Sequence, residues 1–104
     1  MTLRKAYAQF VRDVADKNCN NPLYLATALC GESGELANEL KKVFRDDDGM
    51  ITDERKHAIL SEMGDVLWYL YALSNLLDVR MVEVKQINMT KIIKRIEEGK
   101  LCIG

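Results

Sequence analysis

Apolar side chains recur along this chain at intervals of three and four residues, which is the spacing of amphipathic helices. In the first segment the pattern joins Leu3, Tyr7, Phe10, Val11 and Val14. Residue types that start or end helices separate the periodic segments from one another. The pattern therefore predicts four helices, over residues 3–17, 22–45, 53–77 and 82–98.

The predicted helix boundaries are marked by residues with known terminal preferences. Asn21 and Pro22 suit the N-cap and the first helical position of the second helix. An Asp-Asp-Asp-Gly turn at 46–49 ends that helix, and Thr52 is a suitable N-cap for the third. Gly99 follows the fourth helix, where glycine commonly stops a helix.

The second and third helices are long and separated by about seven residues, so we expect an antiparallel hairpin. No strand-like alternation is visible, and the whole chain, 1–104, is predicted to be a single all-α domain of the four-helix-bundle type. The third helix is apolar on every side over 66–73. Because a chain of 104 residues has little material to cover such a helix, we expect a homo-oligomer, dimer or tetramer, that completes the core.

Composition narrows the class of protein. The 15 Lys and Arg nearly balance the 16 Asp and Glu, so there is no basic field for nucleic acid. The longest apolar run has eight residues where a membrane span needs about 20, and no export signal is visible. Three cysteines without close spacing disfavour a disulfide framework and favour the cytoplasm.

Five carboxylates occupy helix faces that otherwise carry apolar residues. They lie three or four positions apart within each helix: Glu32, Glu35 and Glu39 in the second, Glu62 and Asp65 in the third. Like charges at these spacings repel one another, and partial burial increases that cost. A cation between the helices would remove the cost. Carboxylates without histidine or cysteine suit a hard ion such as Mg²⁺ or Mn²⁺.

Glycines accompany the carboxylates inside the predicted helices. Gly31, Gly34 and Gly64 each cost about 1 kcal/mol relative to alanine. They either clear space beside the acids for water, metal or ligand, or allow close helix packing. Other metal sites fit less well. An EF-hand loop with Gly49 at its sixth position would need an acid in place of Phe44 and a glutamate in place of Arg55, and a di-iron bundle needs two Glu-x-x-His motifs. The single histidine, His57, is predicted to lie on the surface.

The acidic pairs resemble a known signature. Residues 32–36 read ESGEL, and residues 62–69 read EMGDVLWY. This pattern is similar to the E-x-x-E … E-x-x-D motif of MazG-like nucleotide pyrophosphohydrolases, in the all-α NTP pyrophosphatase superfamily. The stretch 31–45, the turn after it, and an Asn-x-x-Lys…Arg segment at 88–95 are also similar to small members of that family.

The resemblance implies Mg²⁺-dependent hydrolysis of a nucleoside triphosphate between its α and β phosphates, giving the monophosphate and pyrophosphate. Such an activity would clear unwanted nucleotides from the cellular pool. It also implies metal-binding and catalytic roles for four residues, Glu32, Glu35, Glu62 and Asp65. Either Glu35 or Glu39 is a candidate for orienting water.

Three further residues are candidates for substrate contact. The resemblance favours Asn88 and Lys91, on one face of the fourth helix. Tyr69 lies one turn beyond Asp65 and could donate to a phosphate oxygen or belong to the core. Trp68 is expected to point away from the acids and to belong to the core or to an interface.

Two alternatives stay open. One is a non-enzymatic helical interaction module with a solvated acidic face. The other is a related hydrolase of nucleoside diphosphates.

Overall fold

A computed structural model describes residues 7–15 and 19–99, and every regular element among them is a helix. The elements are α1 (Tyr7–Val14), α2 (Pro22–Arg45), α3 (Asp53–Leu76) and α4 (Met81–Glu97). The predicted all-α class is confirmed, and the last three helices begin and end within one residue of their predicted limits. Most of the additional length predicted for α1 lies outside the described residues.

The predicted caps are confirmed at both long helices. The Asn21 side chain accepts a hydrogen bond from the Tyr24 backbone N–H at 2.8 Å. The Thr52 hydroxyl accepts one from the Arg55 backbone N–H at 3.1 Å. Between the helices, Gly49 has a φ of 79°, a left-handed conformation that glycine adopts without strain. These local interactions fix where α2 ends and α3 begins.

Helices α2 and α3 pack along their length as the predicted hairpin, and α1 packs on α3. The buried cluster joins one residue from each of these helices, Val11, Leu25 and Ala72. Tyr7 and Tyr71 meet edge to face beside it, with ring centroids 4.8 Å apart. This core lies at the end of the hairpin remote from the 46–49 turn.

An ion-pair network holds the opposite end of the hairpin. The Arg55 guanidinium donates to Asp47 at 2.7 Å and to Glu39 at 2.9 Å. Glu39 also accepts from Lys42 at 3.1 Å. Because Arg55 is in α3, Glu39 in α2 and Asp47 in the turn, one side chain ties all three segments together.

Helix α4 differs from the other helices in its packing. None of its residues is buried, and it does not pack along any of the other helices. Its apolar side chains Ile87, Met89 and Ile96 are 70%, 62% and 51% exposed. A single chain also leaves Leu67 and Leu70 of the apolar run 43% and 39% exposed. The prediction that an oligomer completes this core therefore stays a prediction.

Across residues 7–15 and 19–99, no helix combines the length and the apolar character that a membrane span requires.

Cys19 and Cys30 are not joined in a disulfide, and Cys102 lies outside the described residues.

Candidate functional site

Three predicted metal ligands converge where α2 passes α3. Glu32, Glu62 and Asp65 each offer a carboxylate oxygen, and the three oxygens lie within 4.8 Å of one another. The three-residue spacing of Glu62 and Asp65 places both on one face of α3, and the antiparallel packing brings Glu32 of α2 opposite them. We call these three residues the acid cluster.

Glu35, the fourth predicted ligand, lies at the edge of this arrangement. Its side chain is exposed, and its carboxylate is not among the three that converge. It is nevertheless near enough for its charge to raise the pKa of Glu62. The structure thus brings three of the four predicted ligands together and leaves the fourth beside them.

The electrostatics of the cluster favour a bound cation. Partial burial raises the pKa of Glu62 above its ordinary value, and the negative charges of Asp65, Glu32, Glu35 and Glu39 raise it further. All of these charged neighbours are acids, so nothing among them offsets the ionised form of Glu62. Closely spaced carboxylate oxygens are the donor set of Mg²⁺ and Mn²⁺, and the residues present fit such an ion.

Glu39 shares the acid stripe of α2 but belongs to a different interaction. One of its carboxylate oxygens accepts from Lys42 and the other from Arg55. These two hydrogen bonds lower the pKa of Glu39, in contrast to Glu62. With both oxygens engaged, Glu39 is poorly placed to orient water, which leaves Glu35 as the better of the two predicted candidates.

A shallow depression of about 300 Å³ adjoins the cluster, lined by Glu32, Asp65, Trp68 and Tyr69. Trp68 packs on the buried cluster, as the expected core placement requires, but it also lines the depression, so the expectation that it points away from the acids is wrong. The two aromatic rings meet edge to face at 5.0 Å. Because Trp68 is three residues beyond Asp65, its side chain lies over the same side of α3.

Tyr69 lines the same depression as the acids and also packs on the buried cluster, so both of the placements left open by the sequence are compatible with the structure. Burial raises the pKa of its hydroxyl, as do the Tyr24 hydroxyl, to which it is hydrogen-bonded, and the charge of Glu32. Tyr69 therefore stays a neutral donor at physiological pH. Tyr24 was not predicted as a site residue, and its only sequence signal is its position on the first turn of α2.

The other substrate-binding candidates, Asn88 and Lys91, are exposed on α4. Within the described residues, no hydrogen bond or ion pair joins either of them to the acid cluster, and α4 does not pack along α2 or α3. The single chain does not bring these candidates to the acids, so their assignment stays a prediction. His57 is exposed, as predicted.

The helical glycines are not explained by helix packing within the chain. A Cβ atom placed on Gly31, Gly34 or Gly64 would meet nothing within 4 Å. Of the two explanations that the sequence left open, the described structure therefore favours open space near the acids over close packing.

The chain was compared with known proteins. Residues 20–99 match the MazG nucleotide pyrophosphohydrolase domain. The chain is also 45% identical over 76 residues to the Gene 37 protein of Mycobacterium phage L5, an alignment that covers 73% of this chain and 67% of the phage protein. No solved structure matches. The match spans α2 to α4 and contains both acidic pairs, and on that basis the chain belongs to the MazG nucleotide pyrophosphohydrolase domain family.

Proposed function

We propose that this protein is a Mg²⁺-dependent nucleoside triphosphate pyrophosphohydrolase that converts (d)NTP to (d)NMP and pyrophosphate. The observation that carries the proposal is the convergence of Glu32, Glu62 and Asp65 in a chain of this family. These three residues would hold the metal, with Glu35 beside them. A bound Mg²⁺ supplies positive charge that offsets the charge of the triphosphate and activates water for attack.

The chain's own residues contribute position and charge. In this proposal the acid cluster would determine where the metal and the triphosphate meet, and such positioning is the main requirement of phosphoryl transfer. Tyr69 is a neutral donor on the wall of the adjacent depression, suited to a phosphate oxygen. Glu35 is exposed and makes no hydrogen bond within residues 7–15 and 19–99, so its carboxylate could accept a proton from water.

The partial burial of Glu32 and Glu62 favours this proposal over the alternative of a non-enzymatic interaction module. A module that used its acids to bind a basic partner would keep all of them solvated. A cytoplasmic location, and the removal of unwanted nucleotides as the biological role, are part of the same proposal. They rest on the cysteine content and on the family.

A substrate panel tests the proposal. The full chain is incubated with each common NTP, dNTP and nucleoside diphosphate, with Mg²⁺ and with EDTA, and products are separated by anion exchange. We expect equal amounts of monophosphate and pyrophosphate from at least one triphosphate, and none with EDTA. Release of orthophosphate, turnover of diphosphates alone, or no turnover with Mg²⁺ or Mn²⁺ would overturn it.

A further inference from the structure

The contact between α2 and α3 carries charged side chains at two levels. At one level, Glu32 of α2 meets Glu62 and Asp65 of α3 in the acid cluster. Seven residues further along α2, and seven residues back along α3, Glu39 meets Arg55 at 2.9 Å. Two turns on each helix, about 10 Å, therefore separate a contact of like charges from a contact of opposite charges.

Glu39 occupies the place of a further metal ligand. It lies one turn beyond Glu35 in the acid stripe of α2. Helical side chains lean toward the N-terminus of their own helix, which for Glu39 is the direction of the acid cluster. Burial is the largest cause of the raised pKa of Glu62, and the charge of Glu39 is among the further causes, so this charge reaches the cluster. By position and charge, Glu39 would be a fifth carboxylate of the site.

Two cations engage this carboxylate instead. One oxygen of Glu39 accepts from Lys42 at 3.1 Å, and the other accepts from Arg55. The flexible stem of Lys42 could follow the carboxylate, whereas the planar guanidinium of Arg55 is also held by Asp47 at 2.7 Å. The side chains of Arg55 and Glu39 are only 19% and 16% exposed, so salt screens this pair less than a surface pair.

We propose that Arg55 is a positioning residue of the metal site, which holds Glu39 away from the acid cluster and cancels its charge. The inference rests on the proposed function in taking the acid cluster as the metal site. A fifth carboxylate would bind a divalent ion more tightly, but it would also repel the anionic triphosphate that the same site must admit. Arg55 thereby balances metal affinity against the entry of the nucleotide.

Mn²⁺ binding to the metal-free chain, followed by electron paramagnetic resonance without nucleotide, tests the proposal. Arg55→Gln frees Glu39 and removes one positive charge, so the dissociation constant for Mn²⁺ should fall at least about fivefold. Glu39→Gln alone leaves a positive charge unbalanced and should raise this constant by a similar factor. The double variant restores the charge balance, so it should bind Mn²⁺ as the natural chain does.

Arg45→Gln is the matched control. Arg45 pairs with Asp46 near the same end of the hairpin, but these side chains are 55% and 43% exposed. The same substitution at this solvated pair should change the dissociation constant for Mn²⁺ less than about twofold. A purely structural role of Arg55 predicts the opposite sign, since a loosened hairpin would bind Mn²⁺ more weakly. Weaker or unchanged Mn²⁺ binding by Arg55→Gln would therefore overturn the proposal.

Failure of this proposal can be told apart from failure of the proposed function. If the natural chain bound no Mn²⁺, the acid cluster would not be the metal site and both proposals would be wrong. If Mn²⁺ binding followed the expected cycle but no triphosphate were hydrolysed, only the reaction would be wrong. If Arg55→Gln does not fold, Glu39→Gln decides, because unchanged or tighter Mn²⁺ binding by that variant would overturn the role of Arg55.

Discussion

The α2–α3 hairpin and helix α4 are equally regular as helices but differ in what positions them. The hairpin is fixed at one end by the buried cluster and at the other by Arg55. Helix α4 has a local N-terminal bond, in which the Arg80 backbone N–H donates to the Glu83 carboxylate at 2.6 Å, and it is followed by Gly99 with a φ of 76°. None of its residues is buried.

This difference separates two kinds of information in a sequence. Caps and periodicity are local and suffice to form a helix, whereas only packing brings side chains of different helices together. The acid cluster is assembled because both of its helices find their partner within the chain. Asn88 and Lys91 share a face of α4, but the chain alone gives that face no fixed place beside the acids.

The largest expected effect is the loss of activity when the acid cluster is altered. Glu62→Gln or Asp65→Asn removes a ligand charge while keeping the side-chain shape, so Mg²⁺-dependent pyrophosphate release should fall at least about 100-fold. Initial rates of pyrophosphate release at saturating Mg²⁺ measure this fall.

The matched control is Glu54→Gln, an exposed acid in the first turn of the same helix, which should keep its full rate. If Asp65→Asn also kept the natural rate, the assignment of the cluster as the metal site would be wrong.

A substitution on helix α4 should have a smaller effect, on KM rather than on kcat. If Lys91 contacts a phosphate, Lys91→Ala should raise KM about tenfold and change kcat little, because substrate binding is lost uniformly. Full saturation curves separate the two constants. Lys85→Ala, on another face of α4, is the control, and equal KM values for all three proteins would remove Lys91 from the site.

The same distinction explains what the sequence could predict. The caps at Asn21 and Thr52 and the turn at Gly49 are local, so three helices were predicted nearly to the residue. The meeting of Glu62 and Asp65 with Glu32 was predictable. The acids of each helix are spaced three residues apart, which places them in one stripe, and the antiparallel hairpin makes the two stripes face each other. The pattern did not show that Glu39, in the same stripe as Glu32, is bound by Arg55.

Arg55 was not predicted because its partners come from two other segments. Asp47 precedes it by eight residues and Glu39 by sixteen, and neither spacing corresponds to neighbours on one helix. The prediction that the Trp68 side chain points away from the acids was wrong for a related reason. A large indole can pack on the core with one edge and line a surface depression with the other, and a helical wheel assigns it to a single side.

A third prediction compares how Tm depends on pH when each of two acids of the hairpin, Glu62 and Glu39, is replaced by glutamine. The pKa of Glu62 is raised in the folded state, so its ionised form destabilises the metal-free protein above that pKa. Glu62→Gln should therefore raise Tm at neutral and alkaline pH. The gain should shrink as the pH falls through the raised pKa and vanish below the ordinary value of 4.5, where Glu62 is protonated in both states.

Glu39 should behave in the opposite way. Its pKa is lowered by Lys42 and Arg55, so it stabilises the fold above its ordinary pKa, and this contribution is lost as the pH falls through the lowered value. Glu39→Gln should lower Tm at neutral pH. Thermal melts of both variants in EDTA across the pH range provide the measurement, and shifts of the same sign at neutral pH would contradict the division of the acids into two groups.

The smallest expected effect concerns the helical glycines. Gly31 lies inside α2, is exposed, and would meet nothing within 4 Å if it carried a Cβ atom. Gly31→Ala should therefore stabilise the protein by about 1 kcal/mol, a rise in Tm of about 4–8 °C. Gly49→Ala is the opposing control, since its φ of 79° disfavours a side chain and Tm should fall. If Gly31→Ala lowered Tm, something other than solvent would fill the space beside this glycine in solution.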